Sequence, residues 1–126
     1  MAKIISSPNC GNSPKMEFLK SFNIAFAEGN MDFIIEGISD EIIWNIIGDK
    51  KITGKENFEG ELPNMKTNKV AELALHQILS HGKEGAVNGT MKMQNGKQYA
   101  FSDFYQFSSA KGNMIKSITS YIIEIK

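Results

Sequence analysis

An acidic residue stands among aromatic residues in the segment from Lys97 to Ser108, and its surroundings give it the clearest chemical potential in the chain. Strict alternation along a strand puts one set of side chains on a single face: Tyr99, Phe101, Asp103, Tyr105 and Phe107. Burying an ionised carboxylate beside rings is costly unless it is paired, hydrogen-bonded or protonated, so a buried Asp103 would have a raised pKa. Such a carboxyl can serve as a general acid or base near pH 7. The alternative is that this face is exposed, or that Asp103 only binds backbone amides or a lysine.

Two histidines offer further proton-transfer groups. Imidazole groups transfer protons near neutral pH, so His76 could act with Asp103 if both side chains point inward, whereas a structural histidine at a subunit interface is the other interpretation. His81 lies in a glycine-rich turn, where a solvated side chain is expected. The two are five residues apart without a nearby cysteine, and this odd spacing sends them to opposite faces of a strand, so no metal site is predicted. No phosphate-binding loop, nucleophile elbow or dinucleotide fingerprint occurs, and hence no cofactor is predicted.

Other side chains can line a cavity around the acid, because they bring either an apolar body or a polar handle. The predicted ligand-binding residues are Phe22, Trp44, Asn45, Phe58, Phe101, Tyr105 and Tyr121. Each also has a simpler interpretation as core packing or as a partner for backbone groups. Gly89 removes a side chain from a strand, which predicts a bulge or the close approach of another backbone.

The N-terminal half of the chain must supply helices. Ser13-Pro14 predicts a helix start and Gly29 its end, with the apolar residues between them at three-and-four spacing. Asn30 caps a short second helix, and 41–47 is a strand of β-branched residues. The capping box formed by Thr53 and Glu56 predicts a third helix from Thr53 to about Leu62, stopped by Pro63.

The C-terminal half predicts strands. The segment Val70–Ser80 has high helix propensity but also fits alternation, and we interpret it as a strand because the hairpins that follow need a neighbour. Strands over 86–94 and 97–108 flank Asn95-Gly96, the signal of a two-residue hairpin, and Met114–Ile125 alternates again. The predicted fold is therefore α+β: helix, helix, strand, helix and four long strands, with the helices covering one side of a curved antiparallel sheet.

Composition narrows the class of protein. The 126 residues fit one domain, predicted over 13–126 after a flexible tail at 1–12. Acidic and basic residues balance at 14 each, which argues against nucleic-acid binding, and no apolar run is long enough to cross a membrane. The single cysteine, Cys10, fits a reducing compartment and is interpreted as a mobile thiol, so a cytoplasmic location is expected.

The order of elements resembles the nuclear transport factor 2-like superfamily, and in particular its SnoaL-like branch. The resemblance covers about residues 14–126 and rests on the helix with Phe22 and Gly29, the Ser39-Asp40-Glu41 entry to Trp44, and the Ser102–Phe107 strand. It implies a cone-shaped roll of sheet with three helices over a pocket. The tract Leu75–Gly82 is similar to that of uncharacterised bacterial members.

The ketosteroid isomerases of this superfamily use a tyrosine and a protonated aspartic acid as donors and a second aspartate as base. Here Phe22 stands at the tyrosine position and Asn45 at the base position, and only Asp103 matches, so steroid isomerisation is not expected. SnoaL-like cyclases, by resemblance, pair a carboxylate with a histidine, and Asp103 with His76 would imitate that pair.

These observations predict a pocket that binds a small, mostly apolar molecule with a polar handle, with cofactor-free acid-base chemistry as its use. A non-catalytic binding or dimerisation module is the alternative, and whether the protein is an enzyme stays open. A homodimer through the outer sheet face is also expected, where Ala100, Ser102, Phe104 and Gln106 would meet a second copy.

Overall fold

The computed structural model describes residues 2–7, 13–66 and 69–126, with the side chains of 64–66 excluded. In chain order the elements are β1 (Lys3–Ser6), α1 (Pro14–Glu28), α2 (Met31–Glu36), β2 (Ile38–Ile46), β3 (Lys51–Thr53), α3 (Lys55–Lys66), β4 (Val70–His81), β5 (Glu84–Met93), β6 (Gln98–Phe107) and β7 (Ile115–Ile125). The α+β class predicted from the sequence is confirmed. No helix of the described residues is long and apolar enough to cross a membrane.

All seven strands form one mixed sheet in the order β1-β4-β5-β6-β7-β2-β3, and the sheet is not closed. Neighbours from β4 to β7 are antiparallel, whereas β2 lies parallel to β7 and β1 parallel to β4. The predicted tail at 1–12 is therefore wrong for Lys3–Ser6, because this segment adds a strand to the edge of β4. Residues 8–12, including Cys10, lie outside the described residues, so the interpretation of Cys10 stays a prediction.

The first helix begins and ends, and the second begins, where the caps predict, whereas Ile38, expected in the second helix, starts β2. The Ser13 hydroxyl accepts a hydrogen bond from the Met16 amide, and Gly29 closes α1 in the left-handed region at φ 73°. The Asn30 side chain then accepts from the Phe33 amide and starts α2. The chain thus reverses tightly, and α1 and α2 pack as a helical hairpin on the sheet.

The third helix departs from its predicted bounds. Thr53 belongs to the short strand β3, which pairs with β2, and α3 begins two residues later at Lys55. Pro63 lies inside α3 rather than ending it. Tertiary packing outweighs the local preference here, since Phe58 and Leu62, in the part of α3 before Pro63, are buried in the core.

The ambiguous segment 70–80 is a strand, as predicted, and it runs antiparallel to β5. The hairpin at Asn95-Gly96 is also present, but its loop is wider than two residues. The Gly96 amide donates to the Met93 carbonyl, the Lys97 amide donates to the Asn95 side chain, and Gly96 has φ 92°. This is the geometry of a three-residue loop with glycine at the left-handed position.

Two irregularities decide which side chains face inward. In β4 the register slips between Leu75 and Gln77, which leaves His76 without a partner on β5. In β7 the register slips beside Lys116, between the pairs Phe107–Ile115 and Gln106–Ser117. Each extra residue reverses the alternation that precedes it, so a strand on either side of a bulge has opposite parity.

The core lies between the inner sheet face and the helices. Its fully buried side chains come from both layers: Leu19, Phe22, Ile34, Ile38, Ile42, Phe58, Phe107 and Ile115. At one end of the interior the Lys15 ammonium lies 3.8 Å from the Phe107 ring centre and donates to the Gly112 carbonyl, and burial lowers the pKa of Lys15. This contact ties the start of α1 to the β6–β7 loop.

Candidate functional site

Asp103 lies in the middle of β6 on the inner face of the sheet. Its neighbours along that face, Phe101 and Tyr105, are buried, while Asp103 itself is half-buried. Across the sheet it pairs with Val87 of β5 and Ser120 of β7. The predicted face of β6 is therefore the inner one, and it carries a carboxyl group into the interior.

Two hydroxyl groups stabilise the ionised carboxyl of Asp103. The Tyr105 hydroxyl lies 3.3 Å from Asp103 Oδ2 and donates to it. The Ser120 hydroxyl, at the paired position on β7, is the second group, and its hydrogen bonding lowers the pKa of Asp103. Both hydrogen bonds favour the ionised form of Asp103.

Each hydroxyl is in turn held by a nitrogen donor. The indole Nε1–H of Trp44 donates to Ser120 Oγ at 2.9 Å. The amide Nδ2 of Asn23, on α1, donates to the Tyr105 hydroxyl at 3.2 Å and to the Leu19 carbonyl at 2.9 Å. These five residues, Asn23, Trp44, Asp103, Tyr105 and Ser120, are called the carboxyl network below. It joins α1 and three strands at one point.

Burial raises the pKa of Asp103 to about 6, even though the hydrogen bonds from Ser120 and Tyr105 act in the opposite direction. Desolvation is thus the larger effect. The pKa of Tyr105 is raised well above its ordinary value, first by burial and then by the charge of Asp103. Tyr105 consequently keeps its proton at neutral pH and acts as a neutral donor.

Aromatic rings surround the network on the helix side. Phe22 contacts Tyr105 edge-on with ring centres 6.1 Å apart, and Phe58 contacts Trp44 at 5.1 Å, with Phe26 between the two pairs. Five of the predicted ligand-binding residues therefore lie in the interior with Asp103: Phe22, Trp44, Phe58, Phe101 and Tyr105. Phe22 and Phe58 are fully buried and act as packing behind the network.

Beyond Phe101 the inner face becomes more open. Ile122 pairs with Phe101 and is 43% exposed, and Ile46 and Met91 are partly buried. We call Ile46, Met91, Phe101 and Ile122 the open end of the inner face. Asp103 stands at the boundary between this apolar end and the packed interior.

Three predicted site residues, Asn45, Tyr121 and His76, do not lie in the interior with Asp103. Asn45 follows the inward Trp44 and pairs with Thr119, which pairs with Phe104 on the outer face. Tyr121 also lies on the outer face, with its ring centre 6.1 Å from that of Phe104, because the irregularity at Lys116 reverses the parity of β7. Asn45 and Tyr121 are therefore corrected from pocket to outer-face residues.

His76 is exposed and stands at the irregularity of β4, unpaired with β5. The register puts Ile78, not His76, in the row that leads through Val87 to Asp103. The inward orientation that an Asp103–His76 pair requires is thus not found, and the network reaches Asp103 through hydroxyl groups instead. His81 is exposed as well.

Sequence reasoning missed Asn23 and Ser120. Asn23 interrupts an apolar helix face between Leu19 and Phe26, and a buried amide in such a position must find partners, so this signal was available. Ser120 carried no such signal, since its inward direction follows only from the irregularity at Lys116.

A surface cleft of about 350 Å³ lies at the other end of β6, away from Asp103. It is lined by His81, Gly82, Lys83, Glu84, Gln106, Phe107 and Lys116. The carboxyl network contributes no residue to this cleft.

Several solved structures that resemble this chain are described as nuclear transport factor 2-like proteins. One, from Cytophaga hutchinsonii and of unknown function, is 27% identical, with 85% of this chain and 97% of that chain covered and a TM-score of 0.64. An epoxide hydrolase of M. tuberculosis described as LEH-like is 15% identical, with 86% and 82% covered and a TM-score of 0.73. A protein of Shewanella denitrificans provisionally named as a SnoaL-like polyketide cyclase is 10% identical, with 88% and 92% covered and a TM-score of 0.73.

No protein-family model matches the chain, and no curated protein matches it. The arrangement of three helices over an open mixed sheet is the nuclear transport factor 2-like cone, and the resemblance that the sequence predicts is confirmed at the level of fold.

Proposed function

We propose that the open end of the inner face binds a small, mostly apolar molecule, with Asp103 holding its polar group and acting as a cofactor-free general base. The observation that carries the proposal is the position of the Asp103 carboxyl. It is half-buried, has the hydroxyl groups of Tyr105 and Ser120 beside it, and is bordered by Phe101 and Ile122. A pKa near 6 leaves this carboxylate ionised at pH 7 and still basic enough to take a proton.

The similar structures support a use of this kind. An epoxide hydrolase and a protein provisionally named as a polyketide cyclase share the fold, and both names describe reactions of small organic molecules. Among the described inner-face residues, Asp103 is the group best placed for proton transfer, because Tyr105 keeps its proton at neutral pH.

The test is a binding screen followed by amide chemical shifts. A library of apolar fragments with one polar group is titrated into the wild-type protein, and we expect shifts concentrated at Phe101, Asp103, Ser120 and Ile122. The Asp103→Asn variant should bind the same fragments at least about tenfold more weakly, since a charge-assisted hydrogen bond becomes a neutral one. Shifts confined to the surface cleft at Lys83, or equal binding by the variant, would overturn the assignment.

A second candidate function is a non-catalytic dimerisation module, and the outer sheet face favours it. Leu79, Phe104, Tyr121 and Ile123 form the outer apolar patch, and they are 61%, 52%, 45% and 68% exposed. Such a contiguous exposed patch is typical of an association surface, and a second copy of this chain would cover it in a symmetric dimer.

Sedimentation velocity tests the dimer. We expect a dimer at micromolar concentration and a shift to monomer in Ile123→Lys, which places a charge in the centre of the patch. Asn113→Lys, at an exposed position in the β6–β7 loop, adds the same charge outside the patch and is the matched control. A monomeric wild-type protein at high micromolar concentration would remove this proposal.

A further inference from the structure

The two nitrogen donors of the carboxyl network determine in which direction its hydroxyl protons can point. An indole nitrogen can only donate, so the Ser120 oxygen must be the acceptor in the contact with Trp44. An amide nitrogen also only donates, so the Tyr105 oxygen accepts from Asn23. Each hydroxyl has one proton, and in both cases that proton is free to point to Asp103. The Tyr105 proton is thus donated to the carboxylate, and the Ser120 proton remains available to it.

This direction determines what Asp103 offers to a ligand. Tyr105 takes one of its acceptor positions, the Ser120 hydroxyl is available to another, and every remaining lone pair can only accept while the group is ionised. A ligand that brings another acceptor, such as a carboxylate or a ketone, would be repelled, because its lone pairs would point at those of Asp103. A ligand that brings a donor completes the set.

The charge of Asp103 also has no counterion within the described residues. The ion pairs there join Lys3 to Glu72, Lys50 to Glu61 and Lys55 to Asp40, and none includes Asp103. All 14 basic residues of the chain are lysines, so no guanidinium is available to form a bidentate pair. Hydroxyl groups stabilise a carboxylate but leave its net charge in place.

Resting on the proposed function, we infer that the ligand's polar group is a hydrogen-bond donor and that the preferred class is an apolar amine bound as its ammonium cation. The ammonium supplies both the missing donor and the missing positive charge at Asp103. Its apolar body lies against Ile122 and Phe101, and the Phe101 ring adds attraction for a cation near its face.

The experiment compares three probes that share one apolar body: cyclohexylmethylamine, cyclohexylmethanol and cyclohexanecarboxylate. Each is titrated into the full chain at pH 7.5 and followed by amide and carboxyl chemical shifts. We expect the amine to bind at least about tenfold more tightly than the alcohol, and the carboxylate to bind most weakly. Shifts should appear at Asp103, Ser120 and Phe101 for the two probes that bind.

Variants separate the charge from the shape of the site. Asp103→Asn should bring the amine down to the affinity of the alcohol, whereas Asp40→Asn, at an exposed aspartate whose side chain is 94% accessible, should leave the ratio unchanged. Because the preference is measured first in the wild-type protein, it does not depend on the folding of a variant.

The outcomes distinguish the inference from the proposed function. If the alcohol binds at the Asp103 site as tightly as the amine, the preference for a cation is overturned and the binding site stands. If the carboxylate binds best there, the fixed direction of the hydroxyl protons is overturned. If none of the three probes shifts Asp103 or Ser120, the site fails and the inference fails with it.

Discussion

The indole of Trp44 and the hydroxyl of Ser120 are joined by a buried hydrogen bond of 2.9 Å between two parallel neighbouring strands. This contact brings the largest side chain of β2 to the carboxyl network and leaves the Ser120 proton for Asp103. The aromatic packing of the core and the polarity of the site are thereby coupled through one serine.

Stability should fall as pH rises through the titration of Asp103. Its pKa is about 6 in the folded chain against 3.8 for the unfolded reference, so between these values the folded state holds more protons than the unfolded state. The free energy of unfolding therefore decreases from about pH 4 to pH 6.5, by about 2 kcal/mol once partial solvent access is allowed for. Urea unfolding of wild type and Asp103→Asn across this range measures the difference. The variant should lack the decrease, whereas Asp40→Asn should retain it.

Tyr105→Phe should raise the pKa of Asp103 further. The substitution removes one hydroxyl donor to the ionised carboxyl and keeps the ring, so the charged form loses about one pKa unit of stabilisation. Carbon-detected titration of the Asp103 carboxyl is the measurement. Tyr121→Phe, at the exposed outer-face tyrosine, is the matched control, and an equal shift in both variants would contradict the role of Tyr105.

Trp44→Phe should destabilise the fold by about 2 kcal/mol and should allow the Ser120 hydroxyl group to take other orientations. The variant keeps a ring against Phe58 but loses the N–H donor and leaves a cavity. Thermal unfolding gives the loss, and the exchange rate of the Ser120 hydroxyl proton reports its orientation. Unchanged exchange together with lower stability would show that the hydrogen bond does not direct the proton.

Gly89→Ala should destabilise the protein by about 3 kcal/mol or more. A Cβ at this position would lie 2.0 Å from the Ala74 carbonyl oxygen, an overlap that only a backbone shift can relieve. Gly60→Ala is the control, since nothing lies within 4 Å of its Cβ position in α3 and a helical alanine is favoured by about 1 kcal/mol. Equal effects of the two variants in chemical denaturation would contradict the close approach at Gly89.

Local signals were sufficient for most of the fold. The caps at Ser13, Gly29 and Asn30 act within one turn, and the hairpin glycine Gly96 acts within one loop, so each was visible in the sequence. Gly89 was also predicted to mark a bulge or the close approach of another backbone, and the structure shows both features. Gly89 pairs with Leu75 beside the irregularity of β4, and the Ala74 carbonyl oxygen leaves no room for a side chain.

Face assignments were less accessible, because alternation holds only while no extra residue enters a strand. The irregularity at Lys116 reversed β7, which moved Tyr121 outward and Ser120 inward. The one at His76 left that residue unpaired and exposed. Asp103 was placed correctly because β6 pairs with β5 without interruption from Gln98 to Gln106.

The parallel pairing of β2 with β7 also sets the order in which the protein can be assembled. Trp44 and Ser120 are 76 residues apart, and β7 is synthesised after the six other strands of the described sheet. The Trp44 ring can pack against Phe26 and Phe58 before then, but its N–H has no Ser120 acceptor until β7 is added to the sheet. A nascent chain that ends before Ser120 contains Phe101, Tyr105 and Phe107 but lacks the acceptor for the Trp44 N–H. We therefore expect the fluorescence of Trp44 to change when β7 joins the sheet.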